Sequence, residues 1–185
     1  IIIFGGTSVP DNASSFLKQF KFIDICCHQE GEKKLLSILD GLDDGKWVDT
    51  PGISFFNDRA VFTYNENIPR IKNLSEVPSP YLEGVFDKLM DANPNNQWLV
   101  SWETNRGCPF SCTYCDWGSS INSKVSKLDE ERLYEELIWF SKHKIEFIFI
   151  CDANFGMLPR DIDIVKKAIE IKKKCGYPQI MSVQA

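Results

Sequence analysis

From residue 97 onward the chain alternates short apolar runs with amphipathic stretches of helical length, and this alternation restricts the fold more than any other feature. Residues 97–103, 145–151 and 178–184 read as strands, the middle one almost wholly apolar, as in a strand covered on both faces. Between the first two, Asp129 is placed as an N-cap with Leu128 and Leu133 as a hydrophobic staple. Leu133, Leu137 and Phe140 then share one helical face, with Tyr134 and Ile138 beside them. A second helix is predicted over 161–175, with Ile162, Val165, Ala168 and Ile169 inward, Lys166, Lys167, Lys172 and Lys173 outward, and Gly176 to stop it. Strand, helix, strand, helix, strand predicts an α/β fold, here the opening of a parallel β/α barrel.

The N-terminal third has a similar grammar. Ile1 to Phe4 reads as a buried parallel strand stopped by Gly5-Gly6, and Asp11 or Asn12 can cap a short helix reaching Phe20. A strand over 22–27 leads to a helix beginning at Glu32, whose stripe is predicted to be Leu35, Leu39 and Leu42 with Ile38. This is the pattern of a doubly wound sheet. His28, in the turn between, reads as a surface or capping histidine. Residues 47–64 change period and read as a small hairpin or two edge strands, and Pro69, Pro78, Pro80 and Pro94 mark an ordered connector with a short helix near 83–90. Three segments follow: 1–46, a hairpin and proline-rich connector over 47–96, and 97–185. The chain starts and ends within strand-like runs, so it reads as an internal piece of a longer protein.

Just after the strand at 97–103 stand Cys108-Pro109-Phe110-Ser111-Cys112-Thr113-Tyr114-Cys115, three thiols within eight residues. Zinc prefers four ligands in a closed tetrahedron, and no fourth partner lies at a matching distance. Three thiolates on one loop suit a 4Fe-4S cluster with one iron left for another ligand. The remaining cysteines, Cys26, Cys27, Cys151 and Cys175, show no framework spacing, which points to a reducing, cytoplasmic setting. The loop 108–118 and the turn Asp152-Ala153-Asn154-Phe155-Gly156 both follow strands and should share one end of the sheet.

At these residues the sequence resembles the radical SAM superfamily, whose three cysteines have this spacing with an aromatic, here Tyr114, before the third. The wider string 103–118, ending in Asp116-Trp117-Gly118, resembles the subgroup with a cobalamin-binding domain ahead of the barrel. The resemblance implies that 1–46 is the C-terminal part of a Rossmann-like cobalamin-binding domain and 97–185 the first half of a radical SAM partial TIM barrel. It also implies an enzyme: Cys108, Cys112 and Cys115 hold the 4Fe-4S cluster, S-adenosylmethionine binds the open iron, and reductive cleavage yields a 5′-deoxyadenosyl radical. Tyr114 would lie beside the adenine or pack under the loop. Asp152 and Asn154 stand where many members carry a Gly-Gly-Glu-like motif. They would meet the methionine ammonium, carboxylate or a ribose hydroxyl, while a turn or capping role for Asp152 stays open. Gly5 and Gly6 would admit the nucleotide tail of cobalamin, or form a tight turn without a ligand. Glu103 and Arg106 would flank the cluster and either tune it or close an ion pair at the barrel mouth. With cobalamin, the reaction is methyl transfer or another C–H functionalisation of a small-molecule or peptide substrate, with a one-electron donor such as flavodoxin or ferredoxin. No catalytic residue beyond the cofactor ligands is identified. Two alternatives remain: a radical SAM enzyme with a non-binding cobalamin-type scaffold, and an iron-sulfur or metal module without S-adenosylmethionine turnover.

Composition limits the partners. The net charge of -5, with no basic cluster interleaved with aromatics, argues against nucleic acid. No apolar run approaches the ~20 residues that span a bilayer.

Overall fold

Ile25, Cys26 and Cys27 are buried on both faces in the computed structural model, which describes residues 1–115 and 124–184. They form the centre of the first of two units, Ile1–Ile71 and Lys72–Ala185. Strand β1 (Ile3–Phe4) lies parallel to β2 (Ile25–Cys27), with helix α1 (Ser14–Gln19) between them in sequence. Helix α2 (Glu32–Asp40) leads to β3 (Ile53–Phe56), which pairs antiparallel with β2 and turns into β4 (Phe62–Tyr64). The sheet order is therefore β1-β2-β3-β4. Alternate residues of β2 feed two cores, as a pleated strand requires. Ile25 and Cys27 join Ile38, Ile53 and Phe55, whereas Cys26 joins Ala13, Leu17 and Ile23. Burial pushes the Cys26 thiol up to about 11 and raises that of Cys27, so both sulfurs act as packing groups.

Several expectations change here. The segment 47–96 is shared between the units: the hairpin β3–β4 belongs to the first sheet, because β3 zips onto β2. Helix α1 begins after Ala13, with no side-chain cap, although the Asn12 side-chain oxygen accepts from the Ser14 amide at 3.2 Å. Helix α2 buries Lys34 and Ile38, leaving Leu35, Leu36 and Leu39 exposed. Ile38 sets the rotation by packing on β2 and β3. Lys34, one turn earlier, can enter because its ammonium donates to the carbonyls of His28 at 2.5 Å and Glu30 at 2.9 Å. Gly52 sits beneath that side chain at φ +70°, where a Cβ would approach Lys34 Cε and Asn67 Oδ1 to 2.4 Å.

His28 is buried rather than on the surface. Its Nε2 is 2.9 Å from Ser54 Oγ, and its ring meets Tyr64 edge-on at 5.3 Å. Burial, then Lys34, lowers its pKa against a smaller opposing effect of Asp11. The unfolded chain therefore takes up the proton first as pH falls through about 6.5, and stability is lost on acidification until the folded histidine titrates. The sign is therefore a stability that falls as pH drops through the histidine range. Urea midpoints between pH 7 and pH 5.5 should show this fall, and His28→Gln should flatten it; an unchanged slope in the variant would assign the effect elsewhere.

In the second unit, a short helix α3 (Asp87–Asp91) precedes β5 (Leu99–Trp102). The two-residue strands β6 (Asn105–Arg106) and β7 (Ser126–Lys127) follow, then α4 (Glu130–Lys142), β8 (Phe147–Ile150), α5 (Pro159–Cys175) and β9 (Ile180–Ser182). The sheet β5-β8-β9 is parallel throughout, in register Trp102 to Ile150 and Ile148 to Met181. Val100, Trp102, Ile148 and Ile150 are buried, while Leu99 and Ser101 are exposed and Phe147 and Phe149 half-buried. So β8 is fully covered on one face only among the described residues. Leu128 and Leu133 are both buried as a staple requires. Asp129 stands at the N-cap of α4 without capping through its side chain, whose Oδ2 instead accepts from Ser75 Oγ.

Helix α5 is rotated from the expected face: Ile164, Ala168 and Ile171 are buried, whereas Ile162, Val165 and Ile169 are more than a third exposed. The rotation is set at its start, where buried Asp161 accepts from the amides of Gly156 (2.8 Å) and Leu158 (3.0 Å). Gly176 ends it at φ +82°. Under α4, Glu136 is buried between the Trp102 indole, which donates at 2.6 Å, and Arg132 at 3.0 Å. Tyr81 packs on Phe140 at 4.8 Å and donates its hydroxyl to the Ser101 carbonyl, tying the segment before β5 to the sheet. No helix among the described residues is long and apolar enough to cross a membrane.

Candidate metal and cofactor site

The cysteine loop grows from the C-terminal end of β5. Glu103 and Arg106 form a bidentate ion pair, Nε to Oε1 and Nη2 to Oε2 both at 2.8 Å, as expected. At Asn105 and Arg106 the outgoing chain pairs antiparallel with Lys127 and Ser126, and the Leu128 amide donates to the Thr104 carbonyl at 3.1 Å. These bonds make a neck at the root of the cysteine loop. Gly107, at φ +113°, turns the chain out of the neck into Cys108.

Cys108 is buried at 5% exposure, Cys115 is half-buried, and Cys112 is exposed. The Cys115 amide donates to the Cys112 carbonyl at 3.1 Å, so these two share one tight turn. All seven cysteines are free thiols. Among the described residues no three Cys, His, Asp or Glu side chains stand together as a metal-binding group, so the loop carries the thiols without gathering them. Tyr114 is 91% exposed, which leaves its ring free for a ligand and removes the option of packing under the loop. Asp116, Trp117 and Gly118 lie outside the described residues.

The turn after β8 meets this loop, as expected of loops at one end of a parallel sheet. Asn154 Nδ2 donates to Cys108 Sγ at 3.2 Å. Asp152, two residues earlier and 1% exposed, accepts from the amides of Thr104 (2.7 Å) and Asn105 (3.1 Å), from Asn105 Nδ2 (2.7 Å) and from the Thr104 hydroxyl. Burial pushes its carboxyl pKa up, and the Thr104 and Asn105 donors pull it back. Four donors occupy the acceptor sites of a carboxylate. Of the two roles weighed for Asp152, this geometry favours holding the backbone over meeting an ammonium. Arg160, which sequence reasoning did not single out, donates to the carbonyls of Leu128 and, at 2.6 Å, Thr104, on both sides of the neck. Its partners lie 32 and 56 residues away in sequence, so no local pattern marks it.

The donor set fits an iron-sulfur cluster: three thiols free of disulfides on one loop, with Cys108 already accepting a side-chain N–H. In the first unit, Gly5 and Gly6 follow β1 and are exposed. Gly6 has φ +86°, and a Cβ built on it meets nothing within 4 Å. That open ground fits the approach of a ligand to the backbone and equally serves a tight turn.

No family model matches the chain. It is 36% identical, over 99% of its length, to the cobalamin-dependent radical SAM methyltransferase TokK of Streptomyces tokunonensis, of which it spans 27%. It has the same identity and coverage to the 2-(S-pantetheinyl)-carbapenam-3-carboxylate methyltransferase of Streptantibioticus cattleyicolor. The chain thus spans about a quarter of the length of these curated relatives. Among solved structures, the cobalamin-dependent S-adenosylmethionine radical enzyme OxsB superposes over 99% of this chain and 25% of its own, with TM-score 0.67 and 21% identity. The radical S-adenosylmethionine methyltransferase TsrM from Kitasatospora setae covers 96% of this chain and 34% of its own, with TM-score 0.64 and 13% identity. These two establish a shared mixed α/β fold. Similarity to the curated methyltransferases over almost the whole sequence places the assignment beyond fold alone: the chain belongs to the radical SAM superfamily, in the subgroup that carries a cobalamin-binding domain.

Proposed function

We propose that this chain is part of a cobalamin-dependent radical SAM enzyme that methylates, or otherwise functionalises, a C–H position of a small molecule or peptide. The observation that carries the reading is the cysteine loop, opening at the C-terminal end of β5 with Cys108 hydrogen-bonded from the turn after β8. In this reading Ile1–Ile71 contains the C-terminal part of a Rossmann-like cobalamin-binding domain, and Lys72–Ala185 contains the first half of a β/α barrel. The names of the curated relatives support the chemistry.

Cys108, Cys112 and Cys115 would hold a 4Fe-4S cluster. Exposed Tyr114 would stack on the adenine of S-adenosylmethionine, and Gly5 and Gly6 would face cobalamin. Bound together, these groups supply reductive cleavage of S-adenosylmethionine to a carbon radical and a methyl group for transfer. The chain's own part is to orient and enclose. The neck fixes both ends of the ligand loop, and Asp152 and Arg160 lock that neck to β8 and α5. A one-electron donor of the flavodoxin or ferredoxin type and a cytoplasmic setting complete the proposal.

The test is electron paramagnetic resonance of anaerobically reconstituted, reduced protein, without and with S-adenosylmethionine. A cubane-type signal that changes on adding S-adenosylmethionine is expected. A signal indifferent to it would favour an iron-sulfur module without turnover, and zinc in place of the cluster would overturn the reading.

A further inference from the structure

We infer that Asn154 sets the reduction potential of the cluster by donating its side-chain N–H to the sulfur of Cys108. This rests on the proposed function, which makes Cys108 a cluster ligand, and it gives Asn154 a role other than contact with S-adenosylmethionine.

Three features carry it. The first is the bond itself, Nδ2 to Sγ at 3.2 Å, on the one cysteine of the three that is buried. A thiolate bound to iron accepts hydrogen bonds and donates none, so the amide must present its nitrogen, which is the arrangement found. The second is that the turn carrying the donor is fixed on both sides. Asp152 clamps the backbone of Thr104 and Asn105 at the root of the loop, while the Phe155 amide donates to the Gln184 carbonyl at 2.8 Å, and Phe155 itself is buried. Asn154 stands between these anchors, so its amide is held near Cys108. The third is the environment: hydrogen bonds to cluster sulfurs act most strongly where water is excluded, and of the three loop cysteines Cys108 is the one that water reaches least.

The sign follows from charge. When one electron enters the cluster from a titrant, the reduced form carries one more negative charge, part of it on the sulfurs. A donated N–H stabilises that form and raises the potential. Asn154→Ala removes the donor, and Asn154→Asp keeps the shape while placing an acceptor and a charge at the same point. Asn154 is a positioning residue in this account, since it acts through Cys108.

The experiment is a dithionite titration, followed by electron paramagnetic resonance, of the reconstituted wild-type protein and both variants in the absence of S-adenosylmethionine. Iron and sulfide content are expected to match wild type. The reduction equilibrium should fall about tenfold in Asn154→Ala, equivalent to about 59 mV for a one-electron couple, and further in Asn154→Asp. Loaded variants with unchanged midpoints would overturn the inference, even if their affinity for S-adenosylmethionine fell. Failure of the wild-type protein to assemble a cluster would instead overturn the function on which it rests.

Discussion

Cys108→Ala, Cys112→Ala and Cys115→Ala are each expected to abolish assembly of the iron-sulfur cluster, measured as iron and sulfide per chain after anaerobic reconstitution. In the proposed assignment three protein thiolates would hold the whole cluster, so removing one would leave a second iron without a protein ligand. The three variants separate metal loss from misfolding because their sites differ. Cys112 is exposed, so its replacement removes little packing and the apo-protein should unfold at the wild-type urea midpoint. Cys108 is buried and accepts the Asn154 amide, so its alanine variant loses the metal and some stability together. Cys151 and Cys175 are exposed, and Cys151→Ser and Cys175→Ser are expected to retain iron. Full loading of any loop variant would contradict the ligand assignment, and loss of iron from Cys151→Ser would bring a fourth protein ligand into the site.

The largest effect on stability is expected from Asp152→Ala. The carboxylate holds four donors from Thr104 and Asn105, two of them backbone amides that cannot turn elsewhere. Both residues are buried, Thr104 at 0% and Asn105 at 1% exposure. A buried donor left unpaired costs about 1–3 kcal/mol, so the two amides alone account for about 4 kcal/mol. Domains of this kind are stable by about 5–15 kcal/mol, and the variant should show a large fall in urea midpoint. Asp152→Asn is expected to fall between, because it keeps an acceptor oxygen while its amide group faces the same donors. Iron loading should fall with stability, since the clamp sits at the root of the cysteine loop. A loss below about 1 kcal/mol in Asp152→Ala would mean that water satisfies the freed donors.

The order of the three parallel strands and two long helices in the second unit was legible because each has a strong local signal, whereas the two-residue strands β6 and β7 had none. Apolar runs mark β5 and β8, a staple marks α4, and glycine marks the end of α5. The cysteine spacing was legible for the same reason. Helix rotation was not, because α2 and α5 carry apolar residues on more than one face. Leu35, Leu36 and Leu39 offered α2 a stripe as apolar as the one it uses; Ile38 packing on β2 and β3 decided between them, with Lys34 accommodated beside it by two carbonyls. Ile162, Val165 and Ile169 compete with Ile164, Ala168 and Ile171 in the same way on α5. The buried polar groups were least visible. His28, Glu136 and Asp152 look like surface residues in a sequence, and their partners Ser54, Trp102 and Thr104 lie 26, 34 and 48 positions away. The candidate site was thus readable in the spacing of its thiols and hidden in the contacts around them.

The paired residues at Asn105–Arg106 and Ser126–Lys127 also bear on how an ion is captured. Under the proposed ligand assignment, once one thiol has taken iron from dilute solution, the other two stand on the same short stretch of chain. Their encounter is then governed by an effective concentration on the order of millimolar, whatever the bulk supply. The first capture depends on how much metal the surroundings offer, and the later ones depend on the chain.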